Sequence, residues 1–310
     1  MYTYNLRIGL PLTNYNQLSE HLLIMQAGHF HWTSMAKKFG TPLSKARTSD
    51  GREIYATFFY VETKLPGDIS LTDYKLDDDI TFCSCLREYK GMSVEGQLIF
   101  DHSEKLVGFS TNTDLNTIPS EIQGKHPFIR FGNIFITPDG GNSSLRVARP
   151  ANASFSDIEK LPFSENPYNL TRGIDKSGRF GLLDDSELWA EITKNASFTV
   201  EYEINPDRDS NGAGLTYFAN YFAFMDYGER KSLRSNSKID FSEKNINSRT
   251  LVCRRTAYFG NVDLTDSIKI KVQLFQNISD DHLLGIKYWI SRNKDGALIC
   301  FSEAIKRFGA

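Results

Sequence analysis

The 310-residue sequence has few cysteines and no long apolar run. No stretch approaches the roughly 20 apolar residues that a membrane-spanning helix needs, so we expect no membrane span. The four cysteines are too few and too scattered for a disulfide framework. Cys83 and Cys85 lack a second Cys or His pair at metal-site spacing, so we interpret them as core cysteines on one face of a strand. The sequence therefore predicts a reduced, cytoplasmic protein without a metal or a cofactor.

A large net charge is also lacking. The formal net charge is -2 at pH 7, and charged residues make up 24% of the chain. This balance provides no global field that would attract nucleic acid or an anionic membrane surface, so neither is expected as a partner. The N-terminus has no basic region followed by a long apolar core, so no secretory signal is predicted. The length suits about two domains or one large one.

Apolar periodicity divides the chain into two similar halves. Each half is predicted to contain one strand, one long helix and four further strands. In the first half the predicted strand and helix are 2–8 and 17–39, and the later strands are 52–64, 79–90, 95–109 and 128–137. In the second half the strand and helix are 196–204 and 215–234, and the later strands are 249–260, 267–277, 283–292 and 297–307. Such an internal repeat determines the architecture of the whole chain.

The segment between the halves is rich in Pro, Gly, Asn and Ser and is predicted to be a crossover linker with little regular structure. The predicted domains are therefore 1–137, a linker over 138–195, and 196–310. Both predicted helices are apolar almost all round, which favours a position inside a sheet over one on a surface. A strand, a central helix and an antiparallel sheet wrapped around it make a hot-dog fold. The sequence thus predicts an α+β double hot dog.

Residues 211–230 read NGAGLTYFANYFAFMDYGER. This segment resembles the start of the central helix in hot-dog acyl-CoA thioesterases, where Asp-Pro-x-Gly precedes an apolar pair and an Asn-Tyr or Asn-Phe. In those enzymes the Asp acts as base or nucleophile, and N–H groups at the helix start polarise the thioester carbonyl. Here Asn211 takes the place of the Asp, and an amide can neither accept a proton nor attack. The resemblance therefore argues against plain hydrolysis, and the alternative is that NGAG is only a turn.

A second resemblance covers nearly the whole chain and is carried mainly by IGLPLTNYNQLSEHLLIMQAGHFHW and GREIYATFFYVE. The chain resembles the double-hot-dog biosynthetic family of the bifunctional acyltransferase/decarboxylase of leinamycin polyketide biosynthesis. That family reads Gly-Met-Pro, then Leu-Ser-Glu, then Gly-x-x-His-Trp. The matching residues here are Gly9, Pro11, Leu18, Ser19, Glu20, Gly28, His31 and Trp32, with Leu10 in place of the Met.

This resemblance implies an enzyme that loads an acyl group from methylmalonyl-CoA, or a similar acyl-CoA, onto a tyrosine. It then decarboxylates the group and delivers it to the phosphopantetheine thiol of an acyl carrier protein. By the match, Tyr55 is the tyrosine and His31 its base. Backbone N–H groups at a helix start, or an amide such as Asn211, would stabilise the enolate left by CO2. The residues assigned to substrate binding are Gly214, Ser19, Gly28, Asn220 and Trp32. No cofactor is implied, and a homodimer is compatible with the fold.

Several alternatives stay open at this point. Tyr60 lies an odd number of residues from Tyr55 on the same predicted strand, so only one of the two can face the site. Taken alone, Tyr55 and His31 are more often a packed aromatic and a core histidine. The competing functions are a thioesterase or dehydratase acting on acyl-CoA or carrier-bound acyl chains, and a non-catalytic acyl or carrier-protein binder.

Overall fold

The computed structural model describes residues 1–15, 17–110, 117–141, 144–193, 197–235 and 243–308. The chain forms two compact units, Met1–Leu170 and Thr171–Ala310. Their boundary lies inside the predicted linker, and the described part of segment 138–195 contributes short strands and helices to both units. Among the described helices, none has the length and apolarity required to span a membrane.

The first unit is built on one antiparallel sheet and one long helix. Its elements in chain order are β1 (Tyr2–Arg7), β2 (Thr13–Asn14), β3 (Gln17–Leu18), α1 (Glu20–Phe39), β4 (Tyr55–Lys64), β5 (Asp79–Tyr89), β6 (Ser93–His102), α2 (Ser103–Ser110), α3 (Ser120–Gln123), β7 (Phe128–Gly141), β8 (Ser144–Val147), β9 (Glu159–Lys160) and α4 (Pro167–Thr171), which reaches the unit boundary. The main strands lie in the order β1-β5-β6-β7-β4.

Helix α1 packs one side against this sheet through aromatic side chains. The ring of Phe30 lies 5.0 Å from that of Phe82 on β5, and the ring of Phe39 lies 5.9 Å from that of Phe135 on β7. The opposite side of the helix carries exposed residues, among them Trp32. The helix ends where Gly40 adopts a left-handed conformation with φ 66°, which a residue without a Cβ tolerates. The prediction of a central helix is confirmed, but α1 has an exposed face as well.

The second unit repeats this arrangement. Its elements are α5 (Ile174–Ser177), β10 (Trp189–Glu191), β11 (Phe198–Glu203), α6 (Pro206–Asp209), α7 (Asn220–Ser235), α8 (Glu243–Ser248), β12 (Thr250–Tyr258), β13 (Ser267–Asn277), β14 (Leu283–Arg292) and β15 (Leu298–Arg307). The main strands are ordered β11-β13-β14-β15-β12, and β10 also pairs with β13.

Both sheets therefore place their strands in one order: the first, third, fourth, fifth and second of the repeat. Helix α7 crosses its sheet closely, because a Cβ on Gly228 would lie 2.6 Å from the side chain of Ile270 on β13. A central helix after the first strand and an antiparallel sheet of this order define the hot-dog fold. The chain is a double hot dog, as predicted.

One predicted strand, 95–109, is wrong in its second half. Strand β6 ends at His102, and residues Ser103–Ser110 form helix α2 instead. The helix turns back over the sheet, where Leu106 packs with Cys83, Cys85 and Ile99. Burial raises the pKa of each of these two thiols to about 11. Cys83 and Cys85 thus lie on one face of β5 within an apolar cluster. This agrees with their interpretation as core cysteines.

Candidate active site

His31 lies on the inner face of α1 and is fully buried. Its ring is 5.7 Å from that of Phe58 on β4 and 5.3 Å from that of Phe131 on β7. Its Nε2 makes a short hydrogen bond to Oδ1 of Asn133 on β7. On β6, Gly96 leaves room for the ring, because a Cβ at that position would overlap the imidazole.

The surroundings of His31 determine its protonation state. Burial lowers its pKa to about 4, and the hydrogen bond with Asn133 opposes that shift only in part. The amide of Asn133 is oriented by its Nδ2, which donates to the carbonyl oxygen of Thr57 at 3.1 Å. The Oδ1 of Asn133 therefore accepts from Nε2–H, and the imidazole is neutral near pH 7. Nδ1 has no hydrogen-bond partner within the described part of the chain.

Tyr55 begins strand β4 and lies beside two charged residues. Its hydroxyl donates a hydrogen bond of 2.8 Å to Oε2 of Glu53, and Oε1 of Glu53 lies 3.4 Å from the guanidinium of Arg47. Arg47 and Glu53 pair across the turn that contains Asp50 and Gly51. The hydrogen bond to Glu53, followed by burial, raises the pKa of Tyr55 above its usual range. The phenol is therefore protonated at neutral pH and adjacent to a carboxylate that can accept its proton.

The sheet separates Tyr55 from His31. Opposed residues of an antiparallel pair project to the same side of the sheet. Tyr55 pairs with Ile136, whereas Phe58, which contacts His31, pairs with Asn133. Because Ile136 and Asn133 are an odd number of residues apart, Tyr55 projects away from α1. The prediction that His31 is the base for Tyr55 is thus corrected, since the structure does not bring the two side chains together.

A β-bulge also corrects the argument about Tyr60. The ladder shifts between Phe58 and Tyr60, so that Tyr60 pairs with Gly132. Gly132 and Ile136 are an even number of residues apart, and both tyrosines therefore project to the same side of the sheet. They differ in exposure instead, because Tyr60 is fully buried and Tyr55 is partly exposed. Parity along the sequence failed here because the bulge inserts one residue into β4.

The NGAG segment forms a closed turn. The side-chain oxygen of Asn211 accepts hydrogen bonds from the backbone N–H groups of Ala213 at 2.9 Å and Leu215 at 3.1 Å. Gly214 has φ 71°, and Ser210 bridges to Thr216. This geometry matches the turn alternative, because the Asn211 oxygen is already used within its own loop. Helix α7 begins at Asn220, beyond the turn and later than the predicted 215.

The remaining predicted binding residues have separate surroundings. Ser19 is the buried N-cap of α1 and makes no side-chain capping bond, whereas Asn220 donates from Nδ2 to the carbonyl of Arg208 at 3.1 Å. Gly28 is buried within α1, and Trp32 is 44% exposed. Ser19, Gly28 and Trp32 therefore belong to α1 of the first unit or to its cap, and Asn220 begins α7 of the second unit.

The sequence interpretation missed three polar residues. Glu53 accepts the hydrogen bond of Tyr55, and Arg47 forms an ion pair with Glu53. Asn133 makes a hydrogen bond with His31. Two features of the sequence point to them. Glu53 stands two residues before Tyr55 in an extended segment, and Asn133 is the one amide in the apolar run FIRFGNIFI.

A network of buried charges occupies the helix–sheet interface of the second unit. Glu229 on α7 is fully buried and forms an ion pair with Arg249, another with Lys306 at 2.7 Å, and a hydrogen bond with Tyr288 at 2.7 Å. Burial alone would raise the pKa of Glu229, but the charges of Arg249 and Lys306 outweigh it and hold the pKa well below its usual range. Asp226 joins the network through Lys306 at 3.0 Å.

Arg254 adds a further cation to the same interface. It is 1% exposed, and its guanidinium lies 5.5 Å from the ring centre of Phe222 and 5.1 Å from that of Tyr288. Arg255, the next residue, projects the other way and donates to the carbonyl of Phe180. The inner face of this unit is therefore lined by charged as well as aromatic side chains.

Comparison with known proteins supports the fold and leaves the activity open. No protein-family model and no curated protein matches the chain. A solved structure from Lactobacillus plantarum, described as an oleoyl thioesterase, is similar with a TM-score of 0.64 and 10% identity over 99% of this chain and 95% of that one. The 12:0-ACP thioesterase from Umbellularia californica is similar with a TM-score of 0.61 and 8% identity over 99% of this chain and 94% of that one. An acyl-ACP thioesterase from Bacteroides thetaiotaomicron is similar with a TM-score of 0.55 and 10% identity over 99% of this chain and 97% of that one.

Proposed function

We propose that the chain is an enzyme of acyl-thioester metabolism that transfers a short acyl group through an ester on Tyr55. The observation that carries the proposal is the 2.8 Å hydrogen bond from the Tyr55 hydroxyl to Glu53, with Arg47 3.4 Å from the same carboxylate. The resemblance to the leinamycin-pathway family assigns the acyl-accepting tyrosine to this position. Support also comes from the fold, because solved structures of acyl-ACP thioesterases have the same fold.

The proposed reaction uses Glu53 where the sequence suggested His31. Glu53 removes the phenolic proton as the Tyr55 oxygen attacks the thioester carbonyl, the C–S bond breaks, and coenzyme A leaves as the thiol after taking a proton. Arg47, 3.4 Å from Oε1 of Glu53, forms an ion pair with this carboxylate. A carboxylated acyl group then loses CO2, and the enolate takes one proton. Attack by the thiol of an acyl carrier protein releases the acyl group and restores the phenol.

A thioesterase is the second candidate, because the three structures compared above are all described as thioesterases. In that case Glu53 would activate water instead of Tyr55. Asn211 argues against the Asp-dependent version of hydrolysis, since an amide oxygen bound within its own turn cannot act as base. The two candidates differ in their products, which are an acyl-enzyme for transfer and a free acid for hydrolysis.

The test is intact-protein mass spectrometry after mixing the full chain with methylmalonyl-CoA. We expect an acyl adduct on the wild-type protein, none on Tyr55→Phe, and much slower adduct formation on Glu53→Gln, which keeps the hydrogen bond but loses the base. Tyr168→Phe is the matched control, because Tyr168 is an exposed tyrosine of the same unit, and it should react as the wild type does.

Three results would count against the proposal. An adduct that survives Tyr55→Phe would move the nucleophile elsewhere, with Tyr60→Phe as the next variant. Free acid formed without an adduct would favour the thioesterase. An untouched coenzyme A ester would leave a binding role as the better interpretation for this substrate.

A further inference from the structure

The second unit contains a cavity of about 330 Å³ on the outer face of its sheet, the side that does not face α7. Strands β13 and β14 form its floor, and the residues that follow helix α5 form its rim. The lining residues are Ser177, Gly178, Arg179, Leu183, Asp184, Gln273, Phe275, Lys287 and Trp289. The volume lies at the lower end of the range typical of small-molecule sites.

Two aromatic side chains line the cavity and are held in place by their neighbours. The Trp289 ring lies 5.3 Å from the ring of Phe301, and the Lys271 ammonium lies 5.0 Å from its centre. The Phe275 ring lies 5.6 Å from the ammonium of Lys287. Fixed aromatic surfaces of this kind favour a flat heterocycle, because stacking on them costs little side-chain entropy.

The cations of the cavity differ in their pairing. Lys287 is buried between Glu303 at 3.0 Å and Asp184 at 3.5 Å, so its charge is balanced. Arg179 is exposed, and its guanidinium has no hydrogen-bond or ion-pair partner in the described part of the chain. A planar guanidinium free in this way suits a phosphate, which it can bind through two hydrogen bonds.

The other polar groups suit the rest of a nucleotide. The Gln273 amide offers both a donor and an acceptor, as a base edge requires. The Asp184 carboxylate, which is partly exposed, can accept hydrogen bonds from ribose hydroxyls. The aromatic walls, the amide, the carboxylate and the guanidinium thus provide one partner for each part of the molecule.

We propose that this cavity binds an adenine nucleotide, with the base against Trp289 and the phosphate on Arg179. The inference does not depend on the acyl-transfer proposal, because it rests on residues of the second unit alone. The same chemistry has two sources, a free nucleotide and the nucleotide end of coenzyme A.

The test is isothermal titration calorimetry of the full chain with AMP as the probe. We expect binding that is weakened about tenfold or more by Arg179→Gln, since a hydrogen bond to a charged group is removed. Gln273→Leu should also weaken it. Lys176→Gln is the matched control, because this exposed lysine lies near Arg179 without lining the cavity, and it should bind as the wild type does. Quenching of tryptophan fluorescence by AMP should disappear in Trp289→Phe.

The outcomes separate the alternatives. Competition of coenzyme A with AMP identifies the nucleotide end of coenzyme A as the source, and absence of competition identifies a free nucleotide. The proposal is overturned if AMP does not bind, if binding is unchanged in Arg179→Gln and Gln273→Leu, or if inorganic phosphate binds as tightly as AMP while adenosine has no effect.

Discussion

At the scale of single residues, Gly96 determines whether α1 can approach its sheet at His31. A Cβ on Gly96 would overlap an imidazole that Asn133 holds from the opposite side. We therefore expect Gly96→Ala to destabilise the first unit by about 1–3 kcal/mol through overpacking. Urea unfolding monitored by circular dichroism measures the change. Gly108→Ala serves as the control, because a Cβ at that position of α2 meets no atom within 4 Å, and it should not destabilise the unit. Equal loss in both variants would contradict the role assigned to the His31 contact.

At the scale of elements, the sequence predicted most strands well because alternation persists along each of them. Strands β13 and β14 match their predicted bounds of 267–277 and 283–292 in full. Two features escaped because they depend on packing. The bulge at Phe58–Tyr60 leaves no mark in the alternation, and α2 replaces a predicted strand because its apolar residues pack back on the outer face of the sheet. The bulge matters most for the site, since it turns Tyr60 to the side of the sheet on which Tyr55 lies, away from His31.

A prediction at the same scale concerns the ion pairs between α7 and its sheet. Glu229→Gln leaves Arg249 and Lys306 buried without their full counter-charge, so we expect a loss of about 3–5 kcal/mol in the free energy of unfolding. Glu243→Gln, which removes an exposed ion pair with Arg234, is the control and should have little effect.

The pH dependence of the same variant has a definite sign. The pKa of Glu229 is lowered in the folded state, so its stabilisation is present above the unfolded pKa and is lost as the pH falls through the folded value. The wild type should therefore lose its advantage over Glu229→Gln in acid. An advantage that stays constant down to the most acidic pH of the series would contradict this assignment.

At the scale of the whole molecule, the two units share a strand order but differ in what fills the space between helix and sheet. In the first unit His31 lies there among phenylalanine rings, and in the second Glu229 and Arg254 belong to a buried set of charges. The repeat could be predicted from periodicity. The buried charges could not, because glutamate and arginine are mostly exposed in folded proteins, and nothing in the sequence marks Glu229 and Arg254 as exceptions. The two units thus have the same fold but different side chains between helix and sheet.

The filled interfaces predict how affinity depends on the length of an acyl chain. An apolar tunnel would gain about 0.8 kcal/mol for each buried methylene, or roughly fourfold in Kd. An acyl chain placed against Glu229 and Arg254 would gain no binding free energy per methylene, because it would desolvate charged groups without replacing their hydrogen bonds. We therefore expect the Kd of acyl-CoAs, measured by calorimetry from acetyl- to lauroyl-CoA, to stay flat or rise with chain length. Arg254→Met, which removes the charge and keeps much of the volume, should make longer chains bind more tightly. A steady tightening near fourfold per methylene in the wild type would show instead that the chain is housed in an apolar tunnel, and would remove this support for a short acyl group.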